Sequence, residues 1–295
     1  MLFLTNNKNI LHCKRLQILY YILTNKFICV NIYKFIIYIQ IFTKMKIVVI
    51  DLDETLGYFI QLSMTFNSLN KYINNYQKNK CKITQSDFND ILDLYPEFIR
   101  PNIIQILNYL KDKKDKKICD KIIIYTNNRG ESLWISEILS YFEKKINYKL
   151  FDQVIRPFKI NGEIIESGRT SCTKKYKDFI KCAKIHDSSN LDICFIDDIF
   201  FPKMKNKNIY YINIKPYIHN IELKDIVIRF INSDVCNRII NDKNNCGKIM
   251  LKYIEQYRFD FVSKSAINYE IDIIIGKQIM YHIKYFFNKH IQKKN

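Results

Sequence analysis

The sequence is short of glycine, proline and alanine, which supply only 6, 5 and 2 of its 295 residues. Their places go to Ile, Asn, Lys, Tyr and Phe, whose codons are rich in A and T, so the bias points to an AT-rich genome. Arginine is also scarce: eight residues stand against a formal net charge of +18, and the other cations are lysines. Base and phosphate recognition draws heavily on Arg, so the excess charge is read first as a solvated Lys-rich surface rather than a dedicated nucleic-acid interface. No C-x-x-C pair occurs, and the nine cysteines are odd in number and scattered through apolar stretches. That argues against a disulfide framework or a zinc site and for reduced thiols in an intracellular protein. His12, His186, His219, His282 and His290 show no metal-ligand spacing. Internal repeats are absent.

Acidic residues are missing altogether from positions 1–44, which carry six Lys or Arg. Leu16 to Phe42 is mostly apolar but is broken by Lys26 and Lys34. On an insertion scale each central Lys costs about 2.5–3.5 kcal/mol and each Ile, Leu or Phe returns about 0.3–0.6, so the balance lies near zero. Three readings stay open. Spurious upstream translation, with Met45 as the natural start, is preferred. A membrane anchor comes next, and membrane association rests on it alone. A cleaved signal comes last, because no small-residue cleavage site follows the apolar run.

What the sequence does contain, from Met45 on, is an alternation of strands and helices long enough to bury a full core. Ile47 to Ile50 is a β-branched run that ends on charge in "DLDETL", the pattern of a buried parallel strand. A polar region follows. "SDFNDILDLYPEFIRPNIIQILNYLKD" predicts helices, with Ser86 as cap of the first and Pro101 opening a second near Asn102. "KIIIYTNN" predicts a strand ending at Thr126, and Trp134, Ile135, Ile138 and Leu139 predict the core face of a helix. Asn161-Gly162 between two β-like runs predicts a hairpin. A helix around "KKYKDFIKCAKI" precedes the strands "ICFIDD" and "IYYINIKPY". The expected fold is α/β: a Rossmann-like parallel sheet flanked by helices, with a small hairpin insertion. The expected divisions are 1–44, a core over 45–220, and a helical, Lys-rich C-terminal extension over 221–295.

Three of these strands end in polar residues: Asp51 and Asp53, then Thr126 and Asn127, then Asp197 and Asp198. In a parallel sheet such ends gather at one edge, where open α/β folds bind their ligands. The helix start near Lys174 lies at the same edge. Carboxylates at this density suit Mg²⁺ with phosphate oxygens. A hydroxyl and a lysine suit the remaining phosphoryl oxygens. Phosphoryl transfer uses all of these groups together, since phosphate monoester hydrolysis needs accelerations of up to about 10²¹-fold. A covalent nucleophile, a metal and a proton donor divide that burden.

"DLDETL", "YTNN", a lysine at a helix start and "FIDD" resemble, in order, the four motifs of the haloacid dehalogenase-like (HAD) superfamily. "DLDETL" with "FIRPNIIQIL" is similar to its NLI-interacting-factor or small C-terminal-domain phosphatase (FCP/SCP-like) branch. The resemblance covers about 45–217. It implies Asp51 as the nucleophile that forms an aspartyl-phosphate, and Asp53 as general acid and then base. It implies Thr126, Asn127 and Lys174 around the phosphoryl group. The metal, Mg²⁺, would be held by Asp51, the backbone carbonyl of Asp53, Asp197 and Asp198. Thr55 would brace the loop. Lys174 is 23 residues before Asp197, as in many members; the nearest branch has a shorter separation that favours Lys177, and Lys175 is a third candidate. Arg100 and Arg169 are candidates for substrate contacts, with surface ion pairs as the plainer reading.

The expected function is therefore a Mg²⁺-dependent phosphatase of HAD type, hydrolysing phosphate monoesters. The absence of a large cap favours a phosphoprotein substrate, with a polynucleotide end as the alternative. A binding module that no longer uses the site is the non-enzymatic alternative. The hairpin at Asn161-Gly162 is a candidate specificity element over the site.

Overall fold

The computed structural model describes residues 44–77, 82–188 and 190–288. The three readings of positions 1–44 fall outside these residues except at Lys44. Among the described residues no helix is long and apolar enough to cross a membrane.

β1 (Met45–Ile50) is buried on both faces from Ile47 onward, as its unbroken apolar run requires. The chain continues through α1 (Ile60–Tyr76), α2 (Gln85–Asp93), a 3₁₀ turn at Pro96–Phe98 and α3 (Ile103–Asp115) to β2 (Lys121–Tyr125). Next come α4 (Ser132–Ile146), β3 (Gln153–Ile155) and the short pair β4 (Lys159–Ile160) and β5 (Glu163–Ile164). α5 (Tyr176–Cys182), β6 (Leu191–Asp197), a 3₁₀ turn at Pro202–Met204 and β7 (Ile209–Asn213) complete the sheet. Four helices follow: α6 (Leu223–Ile231), α7 (Asp234–Ile239), α8 (Lys243–Glu255) and α9 (Ala266–Asn288).

The five-stranded sheet has the order β3-β2-β1-β6-β7. Its pairings are parallel, with Val49 opposite Ile123, Ile124 opposite Val154 and Asp197 opposite Asn213. β1 is central, and the chain leaves it for β2 on one side and β6 on the other. That reversal opens a crevice at the carboxyl ends of β1, β2 and β6.

Side chains alternate across the sheet. Val48, Ile50, Ile122, Ile124, Cys194 and Ile196 join the large core. Tyr125 and Phe195 instead approach each other at 6.5 Å between ring centroids, with Phe179 of α5 6.1 Å from Tyr125. Residues 221–288 are no detached extension, since Phe230, Cys236, Met250 and Ile283 belong to the same core as β1 and β2.

Three local expectations are corrected. The polar region after β1 is largely the 17-residue helix α1. Its apolar face, Leu62, Phe66, Leu69 and Ile73, is interrupted in sequence by Gln61, Thr65 and Ser68, which are buried with hydrogen bonds. The cap of α2 is Thr84, not Ser86: Thr84 Oγ1 accepts from Asp87 N at 3.2 Å while Asp87 accepts from Thr84 N at 2.9 Å. Asn102, in the left-handed region at φ 65°, stands at the N-terminal boundary of α3 without a side-chain capping bond, so Pro101 precedes the helix. The hairpin forms as expected, with Asn161 at φ 50° and Gly162 at φ 90° in its two-residue turn.

Candidate active site at the carboxyl edge of the sheet

Asp51 follows β1 directly, and its backbone N–H donates to Ile196 O of β6 at 3.0 Å. The nucleophile candidate is thereby stitched to the strand that ends in Asp197. Lys174, two residues before α5, is 1 % exposed. Its Nζ lies 2.5 Å from Asp51 Oδ1 and 2.6 Å from Asp197 Oδ2. Lys175 instead donates to Thr170 Oγ1 at 2.8 Å on the surface, and Lys177 is exposed in the first turn of α5. Of the three lysines considered from sequence, Lys174 is the one the structure brings to the carboxylates.

Asp197 is fixed by Ile199 N, which donates to its Oδ1 at 2.9 Å. Asp198 Oδ1 accepts from Thr55 Oγ1 at 3.1 Å, which ties the end of β6 to the loop after β1. Asn213 Nδ2 donates to the carbonyls of Asp197 and Asp198, both at 3.0 Å. Thr126 is fully buried at the end of β2, and its Oγ1 accepts from Asn128 N at 2.9 Å. Asn127 turns its Oδ1 to Arg169 Nη2, at 2.8 Å.

Asp53 points elsewhere than the other three carboxylates. Its Oδ2 accepts from Asn128 Nδ2 at 2.8 Å. One oxygen from each of Asp51, Asp197 and Asp198 lies within 4.8 Å of the others, and the Asp53 side chain is outside that group. Asn128 is a member of the site that the sequence reading passed over; its only signal was a second Asn after the strand.

Arg100 and Arg169 are not surface residues, and among the described residues neither has an ion-pair partner. Both are buried and spend their donors on carbonyls. Arg169 Nη1 donates to Thr126 O at 3.2 Å and Arg156 O at 2.9 Å, and its Nη2 to Cys172 O at 2.8 Å. It clasps the end of β2 to the segment that delivers Lys174. Arginines of this kind leave no periodic trace in a sequence.

The electrostatics follow from two buried carboxylates, Asp51 and Asp197, sharing one buried ammonium, with Asp53 and Asp198 close to them in sequence. Burial pushes Asp51 above the usual carboxylate range against the pull of Lys174. Burial, then the Asp51 charge, raises Asp53 to about 7. Burial raises Asp197 to about 7 as well, with Lys174 opposing and Asp51 adding to it. Burial disfavours the Lys174 charge, but Asp51 and Asp197 outweigh it and hold the ammonium protonated. A site with this surplus of negative charge is completed by protons or by a cation. The donor set fits a hard divalent cation. Asp198 Oδ2 is buried and finds no hydrogen-bond partner among the described residues, an orphaned acceptor of the kind a cation or its water satisfies.

A groove of about 1000 Å³ opens from Asp53 and Asn128 and runs between α1 and α4. Ser63, Asn67, Asn70 and Asn74 line one wall. They recur along α1 at helical spacing. Among the described residues its ionic side chains are Asp53, Glu131 and Glu137 against Lys82 and Arg129. The hairpin residues do not line it. Compared with known proteins, the chain matches no family model, no curated protein and no solved structure.

Proposed function

We propose that the chain is a Mg²⁺-dependent phosphatase that cleaves phosphate monoesters through an aspartyl-phosphate on Asp51. The observation that carries this reading is Lys174 Nζ held between Asp51 and Asp197 where β1 and β6 end. An ammonium there orients the nucleophile and offers charge to phosphoryl oxygens as they gain it. In the first step an Asp51 carboxylate oxygen attacks phosphorus in line and the bond to the leaving oxygen breaks. Asp53, protonated near neutral pH because burial raises it to about 7, gives its proton to that oxygen. In the second step water attacks the same phosphorus and passes a proton to Asp53. The bond from phosphorus to Asp51 breaks, releasing phosphate and restoring the carboxylate. Asn128 holds Asp53 in place for both transfers, and Thr126 supplies a hydroxyl for a phosphoryl oxygen.

Asp51, Asp197 and Asp198, with the Asp53 carbonyl, would hold the metal. Mg²⁺ held by these groups would neutralise charge on the nucleophile and the phosphoryl group. The motif order, with "DLDETL" after β1, "YTNN" after β2, Lys174 before α5 and "FIDD" at the end of β6, supports placing the chain in the HAD superfamily. "FIRPNIIQIL" supports its small C-terminal-domain phosphatase branch.

The groove beside Asp53 supports a phosphoprotein substrate. It lies where the leaving group must sit if Asp53 is the acid, and amide side chains both donate to and accept from a polypeptide backbone. The net charge of +18 favours the second reading, a polynucleotide end. The test is a panel of phosphopeptides, nucleotide-end phosphates and sugar phosphates compared by kcat/KM. A preference for phosphopeptides is expected. Salt-sensitive preference for DNA or RNA ends would select the second reading, and inertness toward every phosphate monoester would overturn the function.

A further inference from the structure

Arg100 is 1 % exposed, yet among the described residues no carboxylate lies within ion-pair distance of it. Its Nε donates to Thr55 O at 2.7 Å, and its Nη2 donates to Lys215 O at 2.9 Å and to Glu54 O. Nη1 is buried without an acceptor among the described residues. The guanidinium carbon lies 5.3 Å from the centroid of the Tyr217 ring. Tyr217 grips the same loop, its N–H donating to Glu54 O at 2.9 Å and its hydroxyl to Glu97 O at 2.7 Å.

Behind Tyr217 stands the C-terminal part of the chain. Lys264 Nζ is 4.2 Å from the same ring centroid and donates to Ile218 O at 2.7 Å. It pairs with Asp272 of α9, and these side chains are 10 % and 3 % exposed. α9 also docks on the turn that carries Arg100. Asn102 Nδ2 donates to Ile273 O at 3.2 Å, and Gly276 approaches so closely that a Cβ there would overlap the Pro101 carbonyl.

The loop held at the other end is the catalytic one. Glu54 adopts φ 58°, a left-handed conformation that a residue with a Cβ adopts only when its surroundings enforce it. Its N–H closes the turn on Gly57 O at 2.7 Å. Glu54 is adjacent to Asp53 and three residues from Asp51, so any rotation of this turn swings the proton donor. Burial lowers Arg100 to about 10, with Asp272 resisting, and the guanidinium keeps its charge at neutral pH.

We propose that α9 braces the catalytic loop, with Asp272, Lys264, Tyr217 and Arg100 as positioning residues that carry its docking to the carbonyls of Glu54 and Thr55. The catalytic consequence rests on the phosphatase reading; the mechanical link does not.

The test uses the full chain with an aryl phosphate and Mg²⁺, comparing wild type with Asp272→Asn and Gly276→Ala, and follows amide hydrogen exchange in parallel. Both variants are expected to lower kcat by 10- to 100-fold with KM within twofold. Exchange at residues 52–57 should accelerate at least tenfold, while β2 and β6 keep their protection as evidence of an intact fold. Lys264→Gln, a milder loss of the same pair, is expected to give a smaller change of the same kind. Folded variants with wild-type exchange at 52–57 overturn the brace, whatever their activity. A wild-type chain inert toward the aryl phosphate overturns the phosphatase reading instead, and the exchange data still decide the brace.

Discussion

Asn128 donates a hydrogen bond to Asp53 at 2.8 Å across the mouth of the sheet, joining the loop after β2 to the loop after β1. The bond favours the charged carboxylate and pulls against the burial that raises Asp53 to about 7. An acid that must be protonated to release an alcohol gives a kcat that falls as pH rises through about 7. Asn128→Ala removes the restraint, so the alkaline limb should move to higher pH. A pH–rate profile with a poor leaving group, such as an alkyl phosphate, checks this; an unmoved limb would detach Asp53 from the acid role.

The same shift has a stability consequence in metal-free protein. The folded value, about 7, lies above the ordinary 3.8. The contribution of this carboxyl is therefore fully present below about pH 4 and is lost as pH rises through 7. Asp53→Asn should stabilise the metal-free chain by roughly 2–4 kcal/mol more at pH 8 than at pH 4. Urea melts of both proteins at the two pH values measure the difference.

Lys174→Met leaves Asp51 and Asp197 buried without their shared cation. A loss of about 3–5 kcal/mol is expected near pH 8. It should shrink toward pH 5, where the carboxylates take up protons. Turnover should fall by at least about 100-fold. Denaturant melts read the first effect and steady-state kinetics the second.

Asp51→Asn is nearly isosteric and keeps a partner for Lys174. It should fold like wild type and hydrolyse no aryl phosphate. Mass spectrometry of acid-quenched wild type should find a phosphoryl adduct on Asp51, absent from the variant.

Chelation by EDTA should silence the enzyme and Mg²⁺ should restore it. Asp198→Asn should weaken Mg²⁺ binding measured by calorimetry, because it removes one of the oxygens grouped with those of Asp51 and Asp197. Full activity in chelator would remove the metal from the proposal.

Much of the frame could be read from residue order. β1, β2 and β6 are short apolar runs that end on polar residues, and a buried parallel strand has few other ways to look. The Asn161-Gly162 hairpin was equally legible, since its turn needs two positive φ angles. α1 was not, because Gln61, Thr65 and Ser68 put polar atoms on its buried face and blurred the 3.6-residue period. The cap of α2 was misplaced by two residues because Ser86 and Thr84 offer the same hydroxyl, and only the reciprocal bond with Asp87 separates them.

By itself, then, the sequence determined the strands and the carboxylates at their ends, because β-branched runs and charged termini act locally. Tertiary structure decided which of three lysines reaches Asp51, that Asn128 bonds the Asp53 carboxylate, and that Arg100 and Arg169 serve the backbone. Those outcomes depend on distances between segments remote in the chain, 123 residues apart for Lys174 and Asp51. Buried charge settles such choices by finding whatever partners the packed fold puts within reach.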